Sequence, residues 1–179
     1  MKKFIIGVIL VTVLIAIGIK LTNYRIPVTR ERFVNFMIDN GYYVASNFIY
    51  TSGEDYLSGD NDGLLINITA EIDELNIKVD YFDYVDDIAA HKSFLNTCQE
   101  IEDKYFFAKS RQELLTYFPK KDYIKESYGE NYSRFIIRNP DGHNVTSIVS
   151  QIDNTLIVVR DTQDNSYYKI RDSLGNIGY

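Results

Sequence analysis

The chain is 179 residues long, 45% hydrophobic, with a net charge of −6; that is enough for one domain with its own core and too short for two comfortable ones. Lys2, Lys3, Lys20 and Arg25 are the only charges before residue 26, so the remainder holds 15 basic against 25 acidic residues, a balance that repels phosphate backbones and argues against nucleic-acid binding. Cys98 is the single cysteine, which excludes an intramolecular disulfide.

Met1-Lys2-Lys3 precedes an uncharged run from Phe4 to Ile19. As a helix this run would be about 24 Å long, against ~30 Å of bilayer hydrocarbon. Lys20 can snorkel its ammonium to the interface, so Leu21 and Tyr24 extend the anchored length. Residues 1–25 are therefore read as an N-terminal transmembrane helix, an uncleaved signal-anchor. The alternative is a secretory signal removed near Ala16-Ile17-Gly18, disfavoured because no polar segment precedes that site. A lipid anchor is excluded, since no cysteine lies in the first 97 residues. The short basic head predicts that residues 26–179 form one extracytoplasmic domain. Lys20, Arg25, Arg30 and Arg32 pull the charge count the other way.

Pro27-Val28-Thr29 opens that domain, with Thr29 as N-cap, Glu31 in the first turn, Phe33, Phe36 and Met37 on one face, and Gly41 as the stop. Tyr42 to Tyr50 reads as a strand at a sheet edge, and Thr51 to Gly63 as an exposed loop. Strands follow over Leu64 to Ala70 and Leu75 to Phe82, the second strictly alternating. Asp86 or Asp87 starts the longest helix, which runs to about Phe107 with Ala90, Phe94, Leu95, Cys98, Ile101 and Tyr105 inward. Ser110 to Glu113 is a capping box for a short helix before Pro119, and Lys120 to Asn131 reads as a polar, mobile connection. The last third predicts strands over Tyr132 to Arg138, Val145 to Ile152 and Thr155 to Arg160. They are joined by turns at Asn139 to Gly142 and at Asp153-Asn154. A closing helix carries Tyr167, Ile170 and Leu174, with Gly175 as its stop. The expected class is α+β: an antiparallel sheet, with a hint of two βββα units in Ile77-x-Val79 and Ile157-x-Val159, covered by helices on one face.

No residue pattern declares a reaction. His91 and His143 lack partners at ligand spacing, so no metal site is predicted. Asp60 to Gly63 has part of a calcium-loop pattern, but the bidentate glutamate is missing at Thr69. Cys98 sits on an apolar helix face, no nucleophile elbow or phosphate-cradling glycine loop occurs, and adjacent carboxylates are not a facing pair. The sequons at Asn67, Asn131 and Asn144 read as chance. No catalytic, cofactor-binding or metal residue is named.

Thr29, Phe33, Met37 and Gly41-Tyr42-x-Val44 are followed by an alternating strand and a helix carrying Ala90 and Phe94. With Tyr132-Ser133, Val149-Ser150-x-Ile152-x-Asn154-Thr155-Leu156 and Gly178-Tyr179, they resemble a pattern of small exported or lipid-anchored single-domain proteins of Gram-positive bacteria. The resemblance covers most of residues 28 to 179 and implies a location and a fold. No activity comes with it, so no functional residue is carried over. Without a lipid-acceptor cysteine, a spanning anchor is the natural substitute. The leading expectation is a membrane-tethered accessory or binding module with a protein or cell-envelope partner. A cell-envelope enzyme using carboxylates gathered by the fold, or an immunity- or inhibitor-type protein, is the alternative.

Overall fold

The computed structural model describes residues 24–48, 63–72, 77–108, 124–138, 145–161 and 174–179. Helix α1 (Arg30–Asp39) begins where expected: the Thr29 side chain accepts from the Arg32 N–H, and Glu31 lies in the first turn. Phe33 and Met37 are its buried residues. The helix ends at Asn40, and Gly41 takes φ +82°.

The strands are β1 (Tyr43–Phe48), β2 (Leu64–Ile72), β3 (Ile77–Tyr84), β4 (Ile124–Tyr128), β5 (Tyr132–Arg138), β6 (Val145–Ile152) and β7 (Thr155–Asp161). They form one sheet in the order β1-β2-β3-β7-β6-β5-β4, every pairing antiparallel. The α+β class and the antiparallel sheet are as expected, and β1 lies at an edge. The connection expected to be mobile between Lys120 and Asn131 instead contains β4. Its sequence, Ile-Lys-Glu-Ser-Tyr, is too polar to signal a buried strand, but an edge strand needs only one partner and one covered side.

Helix α2 (Asp87–Ala108) starts at Asp86, whose carboxylate accepts from the Ala89 N–H. Ala90 and Phe94 are buried, and Cys98 and Ile101 pack partly buried beside them. Leu95, assigned to the same face, is instead 51% exposed. The helices also do not share one face of the sheet. Phe33 and Met37 of α1 pack with Ile68, Val79, Ile148, Ile157 and Val159. Ala90 and Phe94 of α2 pack with Phe135, Val149, Leu156 and Val158. Neighbouring residues of one strand point to opposite faces, so α1 and α2 cover opposite sides. The cause is the composition of β6 and β7, where Ile148-Val149 and Leu156 to Val159 are apolar without alternation and are buried throughout. A strand of that kind requires cover on both faces.

The chain closes with a helical turn over 174–177, and the left-handed residue after it is Gly178 (φ +100°) rather than Gly175. Leu174, Ile177 and Tyr179 enter the core on the α1 side, where the Tyr179 hydroxyl meets Thr155 Oγ1. The expected short helix at Ser110, the turn at Asn139 to Gly142, Asp60 to Asp62, Tyr167 and Ile170 lie outside the described residues, as does the run from Phe4 to Ile19. Among the described residues no helix is long and apolar enough to cross a membrane.

Candidate functional site

At one end of the sheet, the first turns of α2 stand over the β4–β5 turn (129–131) and the β6–β7 turn (153–154). Between them lies an open cleft of about 400 Å³, within the size range of small-ligand sites. Its floor is a cross-strand pair, Ser133 of β5 and Gln151 of β6, which are 7% and 6% exposed. Asp87, Ile88 and His91 come from α2, and Glu130, Tyr132 and Asp153 from the strand ends. Ile88 is 76% exposed.

Gln151 fixes the chemistry of His91. The Gln151 amide nitrogen donates to the carbonyls of Asp153 (3.0 Å) and Asp87 (3.4 Å), so its oxygen is left facing His91 Nδ1 at 2.9 Å. An amide oxygen only accepts, so Nδ1 must carry the proton. In the neutral imidazole Nε2 is then the bare lone pair, as an acceptor, a base or a ligand atom requires. The ring is steadied from the other side by stacking on Phe94, centroids 5.9 Å apart.

The rim is tied to the chain's N-terminal side. Arg25 N–H donates to Asn131 Oδ1 (3.0 Å), and Asn131 Nδ2 donates back to the Arg25 carbonyl (2.6 Å) and to Asp153 Oδ1 (3.0 Å). The Tyr24 hydroxyl donates to Asp153 Oδ2 (3.3 Å), and the Arg25 guanidinium lies 4.2 Å from the Tyr132 ring centroid. The Asp153 carboxylate pushes the Tyr24 hydroxyl above its ordinary range. Asp153 itself sits at φ 47°, a left-handed turn position that aspartate tolerates better than most residues. Further along, the Tyr81 hydroxyl donates to the Val28 carbonyl (3.2 Å), and Val28 is buried. Residues 24–28 thus form a strap laid from the cleft rim to the core under α1.

Sequence reasoning named no site residue, and the cleft is where the structure supplies candidates. Asn131, dismissed as a chance sequon, is the rim's clamp. His91, without a partner at ligand spacing in the sequence, is exposed and oriented by Gln151. Cys98 is far less suited to chemistry: burial, with Glu126 and Glu102 nearby, pushes its thiol up to about 12. Among the described residues no group of three or more His, Cys, Asp or Glu side chains is arranged to hold a metal ion. Comparison of the chain with protein-family models, with curated proteins and with solved structures finds no match.

Proposed function

We propose that this chain is a membrane-tethered, extracytoplasmic binding module, anchored once through Phe4 to Ile19 and working through the cleft between α2 and the strand ends. The observation that carries the reading is the strap. Tyr24 and Arg25 are bonded to Asp153 and Asn131 at the cleft rim, and only residues 20–23 separate them from the apolar run. Five backbone steps reach at most about 18 Å, so the tether would hold the cleft close to the bilayer surface. Arg25, Arg30 and Arg32 lie on that side of the chain, where anionic headgroups attract cations. A C-terminal alkaline phosphatase fusion in a bacterial host should be active and should sediment with membranes. An inactive fusion, or a mature chain that mass spectrometry finds without Phe4 to Ile19, sinks the tethered reading.

One observation favours a second reading, an enzyme of the cell envelope. The cleft brings Asp87, Glu130 and Asp153 together with an imidazole held in one tautomer, the arrangement a general base needs. Cell-wall fragments and peptides incubated with the purified chain should then be cleaved, and His91→Ala should abolish cleavage. Intact substrate with the unmodified chain removes the enzyme and leaves the binding module.

A further inference from the structure

We infer that two copies of this chain join their sheets by antiparallel pairing of the outer edges of their β1 strands. The two ends of the sheet are unequal. A two-fold relation through the Val79–Val159 pair places β3, β2 and β1 on β7, β6 and β5, with Ala70 on Ile148 and Val44 on Ile136. Outside Ile136 the sheet continues, because Lys125 of β4 pairs with it. Outside Val44, among the described residues, no strand follows. The fold fills a strand position on one side that it leaves open on the other.

An edge strand presents unpaired N–H and C=O groups, and proteins guard such edges with charges, prolines or bulges. β4 follows this rule with Lys125 and Glu126. β1 does not. Its six residues, Tyr-Val-Ala-Ser-Asn-Phe, hold no charge and no proline, and its register with β2 runs unbroken from Tyr43–Glu71 to Phe48–Ile66. Ala45 and Ser46 in its middle are exposed, and Tyr43, an aromatic of the kind enriched at interfaces, is 76% exposed.

Charge selects the occupant. When a strand pairs antiparallel with its own copy, the two-fold axis sets one residue opposite itself. Along the whole of β4 that residue is Glu126, and like charges directly opposite are destabilising. Along β1 it is Ala45 or Ser46, and every other pair in either register is uncharged too. A chain with 25 acidic against 19 basic residues repels its copies over most of its surface, and β1 is an edge free of that repulsion. The axis stands perpendicular to the sheet, so both copies present α1, which packs on β1, on the same face, with Ile38 of its last turn 56% exposed.

Sedimentation equilibrium of the full chain in density-matched detergent tests this. The protein mass should rise with concentration from one chain to two and stop there. Ala45→Lys sets two ammonium groups opposite or diagonal to each other across the axis and should raise the dimer Kd at least about tenfold. Glu126→Lys, on the other edge, should leave it unchanged. Ala45→Glu should weaken the dimer likewise, and mixing the lysine and glutamate chains should restore it, which misfolded variants would not do. If these variants fail to fold, oxidation of Ala45→Cys and Ser46→Cys gives the reading instead: at least one should link two chains, and neither linking overturns the inference. It is also overturned by a one-chain mass up to about 1 mM, or by a dimer that Ala45→Lys leaves unchanged, as association through Phe4 to Ile19 would be. Masses that keep growing, as head-to-tail pairing of β1 with β4 would give, overturn it as well.

Discussion

Single side chains carry most of what makes the cleft end of this molecule work, and several hold together parts distant in sequence. Asp83 is one. It lies at the end of β3 and accepts from Asn154 Nδ2 (2.8 Å), which also donates to the Tyr84 carbonyl (3.0 Å). Burial raises its pKa above the ordinary 3.8, and the backbone N–H of Tyr84 offsets this only in part. A carboxyl whose pKa is higher in the folded state binds more protons there than in the unfolded chain. Its contribution to stability is therefore present below pH 3.8 and declines as pH rises through the folded pKa. Asp83→Asn keeps an oxygen for Asn154 and removes the charge. The variant should melt above the unmodified chain at pH 7, and the gap should close as pH falls to about 3.8 and below. Melting curves at several pH values check this; a gap independent of pH counts against the burial argument.

The same scale explains why the site escaped sequence reasoning. Ser133, Gln151 and His91 sit at ordinary positions in two strands and a helix, with no spacing that marks them. They meet only because β5 and β6 pair in one register and α2 starts directly over that pair. A site made by register leaves little local trace, unlike a glycine loop or a ligand spacing.

Among the elements, local signals were sufficient wherever a strand or helix supported itself. The Thr29 cap, the Asp86 start, the alternation of β3 and the Asp153-Asn154 turn are all legible in the chain. Two failures have a common cause in tertiary context. The polar β4 exists because β5 offers it an edge, and the two-sided cover follows from β6 and β7 being apolar at consecutive positions. The second signal was present in Leu156 to Val159 and points to a buried strand. The β4–β5 turn also carries a specific steric demand. A Cβ on Gly129 would lie 1.9 Å from Tyr132 Cε1, and the Gly129 N–H donates to the Tyr132 carbonyl at 2.8 Å. Gly129→Ala must move that ring, and with it the surface on which the Arg25 guanidinium rests. The cost should be about 1–3 kcal/mol, typical of inserting a methyl where none fits, read by urea denaturation. A loss below half of that range would mean the turn can shift freely.

At the scale of the molecule, β3 and β7 meet with Val79 opposite Val159, Ile77 opposite Asp161 and Tyr81 opposite Ile157. This register is the one a two-fold axis through the Val79–Val159 pair would give, and it places Ile77-x-Val79 and Ile157-x-Val159 at equivalent positions. Outward from it, Ala70 and Ile148 are equivalent, then Val44 and Ile136, all on the α1 side of the core. The helices do not follow the relation, since α2 after β3 and the closing turn after β7 pack on opposite faces. The symmetric part is thus a six-stranded sheet, and what breaks the symmetry is what makes the cleft: α2 on one side and the strap across the strand ends.

The strap has a consequence for how the domain behaves as a whole. Both backbone polar groups of Arg25 are held by the one Asn131 side chain, so the junction behind the apolar run belongs to the folded unit. Cleavage by trypsin after Arg25 requires this clamp to open and the guanidinium to leave Tyr132. Asn131→Ala removes both of its hydrogen bonds to Arg25, at about 0.5–1.5 kcal/mol each, which makes the open junction roughly 5- to 160-fold more populated. Where opening is fast relative to cleavage, the rate follows that population. The variant should be cut after Arg25 faster by a factor in that range, with the melting of the sheet lowered far less than the junction. Equal cleavage rates in the two chains would mean that the strap does not restrain the junction, and the cleft would then have no fixed relation to the apolar run.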